Sequence, residues 1–212
     1  MTLTECIDEY VGKAPLEKPL TTDDIYDYIL SKLPNVKRAC FNVALQRYEK
    51  GNEDFARYQK GVYYKRMETP FGKTGIDLAA LFQKDYIFEG EEIVGYERGP
   101  SFMNRIGLTT QMPTYLYVAT MKTNRTKIDK RYGAYLTKPV TAVTKENCHY
   151  LQFLDLLENK ENVHIDAEDQ GSILERLLKE YELSFPRLLS YASFYDDIKI
   201  YRGLASLARG LT

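Results

Sequence analysis

Arg38, Asn42 and Gln46 stand four residues apart, a spacing that stacks side chains along one side of a helix. Their types suit hydrogen-bonded readout of base edges in a major groove: a forked guanidinium pairs with guanine, and a carboxamide pairs with adenine. Lys37 precedes the row, and Arg57, Lys60 and Lys65 follow it at positions suited to phosphate oxygens. Chemistry of other kinds is sparse. Only two histidines are present, and Cys148-His149 with Asp155 is the nearest approach to a nucleophile pair. Adjacent helical residues point about 100° apart, so Cys148 and His149 are poorly placed to exchange a proton. No glycine-rich phosphate loop occurs, and Glu91-Glu92 lacks the following Glu-x-Lys that nuclease chemistry would need. The expectation is a chain that is not an enzyme, with no metal site and no cofactor.

The elements that must position the row can be read from the periodicity. Leu3, Cys6, Ile7, Tyr10 and Val11 recur at helical spacing, with Thr2 and Glu5 as a capping box and Gly12 as a stop. Pro15 and Pro19 make the next stretch extended. Thr22 reads as the N-cap of a second helix, followed by Asp23 and Asp24 where the helix dipole favours acids. Ile25, Tyr28, Ile29 and Leu33 form its stripe, and Pro34 ends it. A turn of about four residues leads to a third helix, Asn35 to about Lys50. Val36, Cys40, Phe41, Val43, Ala44, Leu45 and Tyr48 spread over its apolar arc, opposite Arg38, Asn42, Gln46 and Glu49. Phe55 to Tyr58 and Val62 to Lys65 then flank Gln59-Lys60-Gly61 as a hairpin. Helix, extended piece, helix, short turn, helix and hairpin is the order of a winged helix-turn-helix.

Pro70-Phe71-Gly72 reads as a junction, so the expected domains are 1–68 and 69–212. The fold class predicted is α+β: an N-terminal winged helix-turn-helix, then a mixed α/β domain with a small antiparallel sheet and a helical C-terminal tail. A helix from about Ile76 to Tyr86 and a short one from Pro100 to Ile106 accompany strands at Ile93–Tyr96, Tyr115–Met121, Thr126–Asp129 and Ala134–Lys138. From Lys145 the pattern is helical, with Tyr150, Leu151, Leu154 and Leu157 on one face. Further helices are expected around 173–181, 185–195 and 198–208.

The bulk numbers constrain the partners. Net charge is −1 over 212 residues, but it is unevenly spread. Asn35 to Lys73 carries nine basic against four acidic side chains, Lys122 to Lys138 six against one, and Glu146 to Asp169 is acidic. Such zones suit an anionic partner on one side and a different contact on the other. Eighteen tyrosines and no tryptophan suggest many half-buried or contacting rings. Three scattered cysteines form no disulfide or zinc pattern, which fits a reducing cytoplasm. Asp8 and Glu9 with no apolar run predict no signal peptide, and no membrane span is expected.

Three segments carry a family resemblance. Gly95-Tyr96-Glu97-Arg98-Gly99 through Gly107-Leu108-Thr109-Thr110-Gln111-Met112-Pro113 resembles antitoxin-like proteins of the type IV abortive-infection (AbiE) family. So do Gln59-Lys60-Gly61-Val62-Tyr63-Tyr64 with Thr69-Pro70-Phe71-Gly72, and Tyr150-Leu151-Gln152-Phe153-Leu154-Asp155. The resemblance implies a winged helix that represses its own operon by binding double-stranded DNA. It also implies a C-terminal part that counters a nucleotidyltransferase-like toxin, not necessarily by touching it. The matching segments include neither the N-terminal helix nor the acidic tail. A homodimer stays open, since many helix-turn-helix proteins read paired half-sites. A protein-docking unit without DNA binding is the alternative from another class.

Overall fold

The structure, a computed structural model, describes residues 2–209. It is a mixed α+β chain of two compact units, the first ending at Leu81 and the second beginning at Phe82.

In the first unit, α1 (Leu3–Lys13) is capped by Thr2 and Glu5, whose side chains each bond the other's backbone N–H. The helix runs through Gly12 to Lys13. A two-residue strand, β1 (Leu20–Thr21), precedes α2 (Thr22–Lys32). The α2 cap is Thr21 rather than Thr22: the Thr21 hydroxyl accepts from Asp24 N–H, and the Asp24 carboxylate accepts from Thr21 N–H. Residues 33–37 form the turn, pinned where Tyr26 Oη donates to Val36 O at 2.7 Å. Helix α3 therefore begins at Arg38 and ends at Gly51. Strands β2 (Phe55–Gln59) and β3 (Val62–Lys65) pair antiparallel, with a register shift around Tyr58 and Gly61 at φ +82° in the turn. β1 pairs with β3, giving the order β1-β3-β2. Cys6, Ile7, Val11, Ile25, Ile29, Phe41, Leu45, Phe55 and Tyr63 fill the core, with the Phe55 and Tyr63 rings stacked at 5.2 Å.

The predicted junction at 68/69 falls inside this compact unit. Strands β4 (Glu68–Thr69) and β5 (Gly72–Lys73) form a small hairpin there, with Phe71 wholly exposed at its tip. The chain beyond is held back to the first unit: Asp77 N–H donates to Glu17 O at 2.8 Å, and Lys18 pairs with the Asp77 carboxylate at 2.6 Å. The division between units falls within α4 (Leu78–Tyr86).

The second unit is built on a four-stranded sheet. Its strands are β8 (Gly95–Glu97), β9 (Leu116–Thr120), β10 (Lys127–Asp129) and β11 (Ala134–Thr137), in the order β10-β11-β9-β8. A separate hairpin, β6 (Phe88–Glu89) with β7 (Glu92–Ile93), precedes it. The sheet is mixed, which corrects the expected antiparallel one: β11 runs parallel to β9. The chain leaving β9 crosses to the sheet edge as β10, and the hairpin at Gly133 returns β11 into the position beside β9. This seats Ala134 and Leu136 against Val118, Phe82 and Tyr86.

Helix α5 (Gly99–Arg105) and α6 (Cys148–Asn159) complete the core with α7 (Gln170–Glu180), α8 (Phe185–Ala192) and α9 (Ile198–Ala208). α6 is buried all round from Tyr150 to Leu157, not on one face alone. Its buried Gln152 donates to Glu97 O at 2.7 Å. Gly95 lets β8 approach its neighbours: a Cβ there would collide with Tyr86 O and lie 2.9 Å from Ala119 O.

Candidate functional site

The predicted row sits on α3 beside the β2–β3 hairpin. An open cleft of about 440 Å³ lies between them, lined by Arg38, Asn42 and Gln46 from the helix and by Arg57 and Lys60 from the hairpin. Thus five of the seven predicted residues share one concavity. Asn42 and Gln46 are exposed. Lys60 is exposed next to the turn glycine, and Arg57 Nε donates to Gln59 O at 3.2 Å.

Arg38 is more restrained than its neighbours. Its Nη2 pairs with Asp23 Oδ1 at 2.5 Å, and its guanidinium lies over the Tyr26 ring at 4.6 Å and the Phe41 ring at 5.4 Å. Asp23 is largely exposed, so this ion pair contributes at most about 1 kcal/mol and can be exchanged for another anion. The aromatic contacts fix the direction in which the guanidinium points.

Two residues lie apart from the cleft. Lys37 is the N-cap residue of α3, exposed but not in the cleft lining. Lys65 is engaged elsewhere in the unit. Its Nζ donates to Gly12 O at 3.1 Å and Ala14 O at 3.2 Å, carbonyls at the end of α1. It lies opposite Phe55 in the β2–β3 register, so its side chain takes the core face of the hairpin. A cation at a helix C-terminus satisfies orphan carbonyls, and these two bonds hold the Lys65 ammonium at the end of α1, outside the cleft lining.

The sequence reading missed part of the exposed face of α3. Cys40 and Val43, assigned to the apolar arc, are exposed. Burial narrows to Phe41 and Leu45, with Ala44 and Tyr48 packed partly behind them. The solvent face carries Ala39, Cys40, Asn42, Val43, Gln46, Arg47 and Lys50. The 4-3-4 step from Ala39 through Val43 and Gln46 to Lys50 was the available signal, and Val43 hid it by counting as apolar. Thr22 and Asp23 also line the cleft, brought there by the start of α2.

The charge of this region is sorted by the fold. Lys73 pairs with Glu53 at 2.9 Å, Arg66 Nε donates to Glu53 O at 2.8 Å, and half-buried Lys65 bonds the carbonyls at the end of α1. Lys37, Arg47, Lys50 and Lys60 are exposed and take part in no ion pair among the described residues. The second basic zone is partly self-neutralised. Lys122 pairs with Glu89, and Arg131 pairs with Asp129 at 2.7 Å and reaches Asp85 at 3.5 Å. The Arg131 hydrogen bond, with one from Tyr86, holds the Asp129 carboxyl down at about 2.

Cys148, His149 and Asp155 are not brought together. The Cys148 thiol is buried, which pushes its pKa up, and it donates to Lys145 O. His149 is exposed and stacks on Tyr181 at 4.0 Å. Asp155 is buried beside Arg98. Among the described residues, no three His, Cys, Asp or Glu side chains gather to hold a metal ion, and no helix is long and apolar enough to cross a membrane.

No protein-family model, curated protein or solved structure matches the chain.

Proposed function

We propose that this chain is a sequence-specific DNA-binding regulator whose first unit acts as a winged helix-turn-helix. α2 and α3 serve as the helix-turn-helix, α3 as the recognition helix and the β2–β3 hairpin as the wing. One observation carries the reading: Asn42 and Gln46 stand exposed on α3, across one cleft from Arg57 and Lys60. Carboxamides facing a groove with cations to one side are the parts that base readout and phosphate positioning require. On the strength of the AbiE resemblance, the proposed operator is the chain's own upstream DNA and the proposed role is that of an antitoxin, opposing a nucleotidyltransferase-like toxin.

The test is binding of the full chain to its own upstream duplex and to random duplex as salt is varied. The expected result is tighter binding to the upstream duplex, with a log–log salt slope of about −0.9 per phosphate contacted. Asn42→Ala is expected to weaken upstream binding by about 1–3 kcal/mol and leave random binding nearly unchanged. Equal affinity for both duplexes at every salt concentration refutes sequence-specific regulation. A folded chain with no DNA affinity at all favours the protein-docking alternative. Coexpression with the product of a neighbouring nucleotidyltransferase-like gene tests the antitoxin half through rescue of growth.

A further inference from the structure

The exposed face of α3 is not uniformly polar. Ala39 and Val43 lie one turn apart on its crest, and Val43 keeps 49% of its surface exposed. On one flank Asn42 and Gln46 border the cleft shared with the hairpin. On the other, Arg47 lines a second depression with Thr4 and Glu53. Lys50 continues the crest toward the helix end. The helix holds a single carboxylate, Glu49. The apolar surface on this face is therefore three small side chains, Ala39, Val43 and, toward the Arg47 flank, Cys40, bordered by carboxamides and cations.

That size and setting discriminate between occupants. A protein partner docking on a helix needs an apolar stripe several residues long, and the charges here interrupt it after one turn. A polyanion with isolated methyl groups fits better. Thymine presents a C5 methyl in the major groove, on the base pair whose adenine offers N6 and N7 to a carboxamide. Gln46 lies three residues beyond Val43, one turn on along the same side, and Asn42 stands about 100° round the helix from Val43. A carboxamide and an apolar contact can thus address one A·T pair or two neighbouring ones.

We infer that Val43, supported by Ala39, reads thymine methyl groups, so that the recognition sequence contains A·T pairs identified twice over, by Asn42 or Gln46 at adenine and by Val43 at thymine. This rests on the DNA-binding reading above. It assigns Val43 a specificity role with no hydrogen bond: burying one methyl against it strengthens binding about fourfold.

The full-length chain is used to select duplexes from a randomised pool. The enriched duplex is then synthesised with each thymine replaced singly by deoxyuridine, which removes the methyl and leaves the hydrogen-bonding edge intact. The expected result is about fourfold weaker binding at one or two thymines and no change at the others. Val43→Ala, at a solvent-facing helix position where alanine is well tolerated, is expected to bind the thymine and deoxyuridine duplexes alike at those positions. Asn42→Ala is expected to retain the methyl discrimination while weakening both duplexes. Two results overturn the inference and leave DNA recognition intact: enrichment of a duplex whose thymines can all be replaced without loss, or full methyl discrimination by Val43→Ala. Failure to enrich any sequence refutes the DNA-reading function itself and this assignment with it.

Discussion

Replacing Asp155 by asparagine should reverse a pH-dependent weakness of the second unit. Asp155 lies in the middle of α6 with 1% of its surface exposed. Arg98 Nε approaches its Oδ2 to 3.1 Å, but not in hydrogen-bonding geometry. Arg98 also divides its charge with Glu158 at 3.2 Å, while Tyr96 and Tyr195 border the same carboxyl. Burial pushes the Asp155 pKa from 3.8 up to about 6, against the attraction of Arg98. Between these values the folded chain keeps a proton that the unfolded chain has released. Stability from this group is thus fully present below the unfolded pKa and is lost as pH rises through the folded one. The difference between 3.8 and about 6 corresponds to about 3 kcal/mol. Asparagine imitates the protonated carboxyl, so Asp155→Asn lacks that loss. Urea unfolding followed by circular dichroism, run on both proteins from pH 4 to 7.5, gives the comparison. The variant is expected to gain about 2 kcal/mol relative to wild type across that range, since part of the loss has already occurred at pH 4, whatever constant offset its altered contacts introduce. A flat difference, or wild type gaining on the variant with rising pH, refutes the reasoning: it would mean that Arg98 outweighs the cost of burying the charge.

Other perturbations address the first unit and the sheet. Lys65→Met removes two bonds to the end of α1 and is expected to cost about 1–3 kcal/mol in thermal unfolding, with the salt slope of DNA binding unchanged. Lys60→Ala should do the opposite, lowering that slope by about one contact with unfolding unaltered. Thr21→Ala removes the α2 cap and is expected to cost about 1 kcal/mol, where Thr22→Ala costs less; equal losses would contradict the cap assignment. Gly95→Ala forces a Cβ against the backbone oxygens of Tyr86 and Ala119 and is expected to destabilise the second unit by about 1–3 kcal/mol in the same urea assay.

Several of these elements were legible because they are local. The Thr2–Glu5 capping box, the Gly61 turn and the stripe of α1 depend on residues within one or two turns of each other, and propensity and periodicity act over that distance. The placement of Asn42 and Gln46 on one side of α3 was legible in the same way, since four-residue spacing on a helix is itself a structural statement. The short β1 escaped notice because two residues after Pro19 carry no period; they become a strand only by pairing with Val62 and Tyr63.

Tertiary packing decided what spacing could not. Val43 and Leu45 are both apolar residues of one helix, yet one is exposed and the other buried, because the neighbouring elements cover only the arc through Phe41 and Leu45. Lys65 and Lys60 are both hairpin lysines, but Lys65 lies beside the end of α1 and bonds its carbonyls, whereas Lys60 sits in the turn outside the paired residues and stays in solvent. The parallel pairing of β11 with β9 depends on which strand occupies the central position, a long-range competition that alternation along each strand does not record. Asp155 could be read as one partner in a catalytic pair with Cys148 and His149; burial of α6 on every side made it the partner of Arg98 instead. The sequence by itself determined which local elements form and which residues of α3 share a side. Only the assembled fold determined which of those sides remain open, because exposure is set by neighbours far away along the chain.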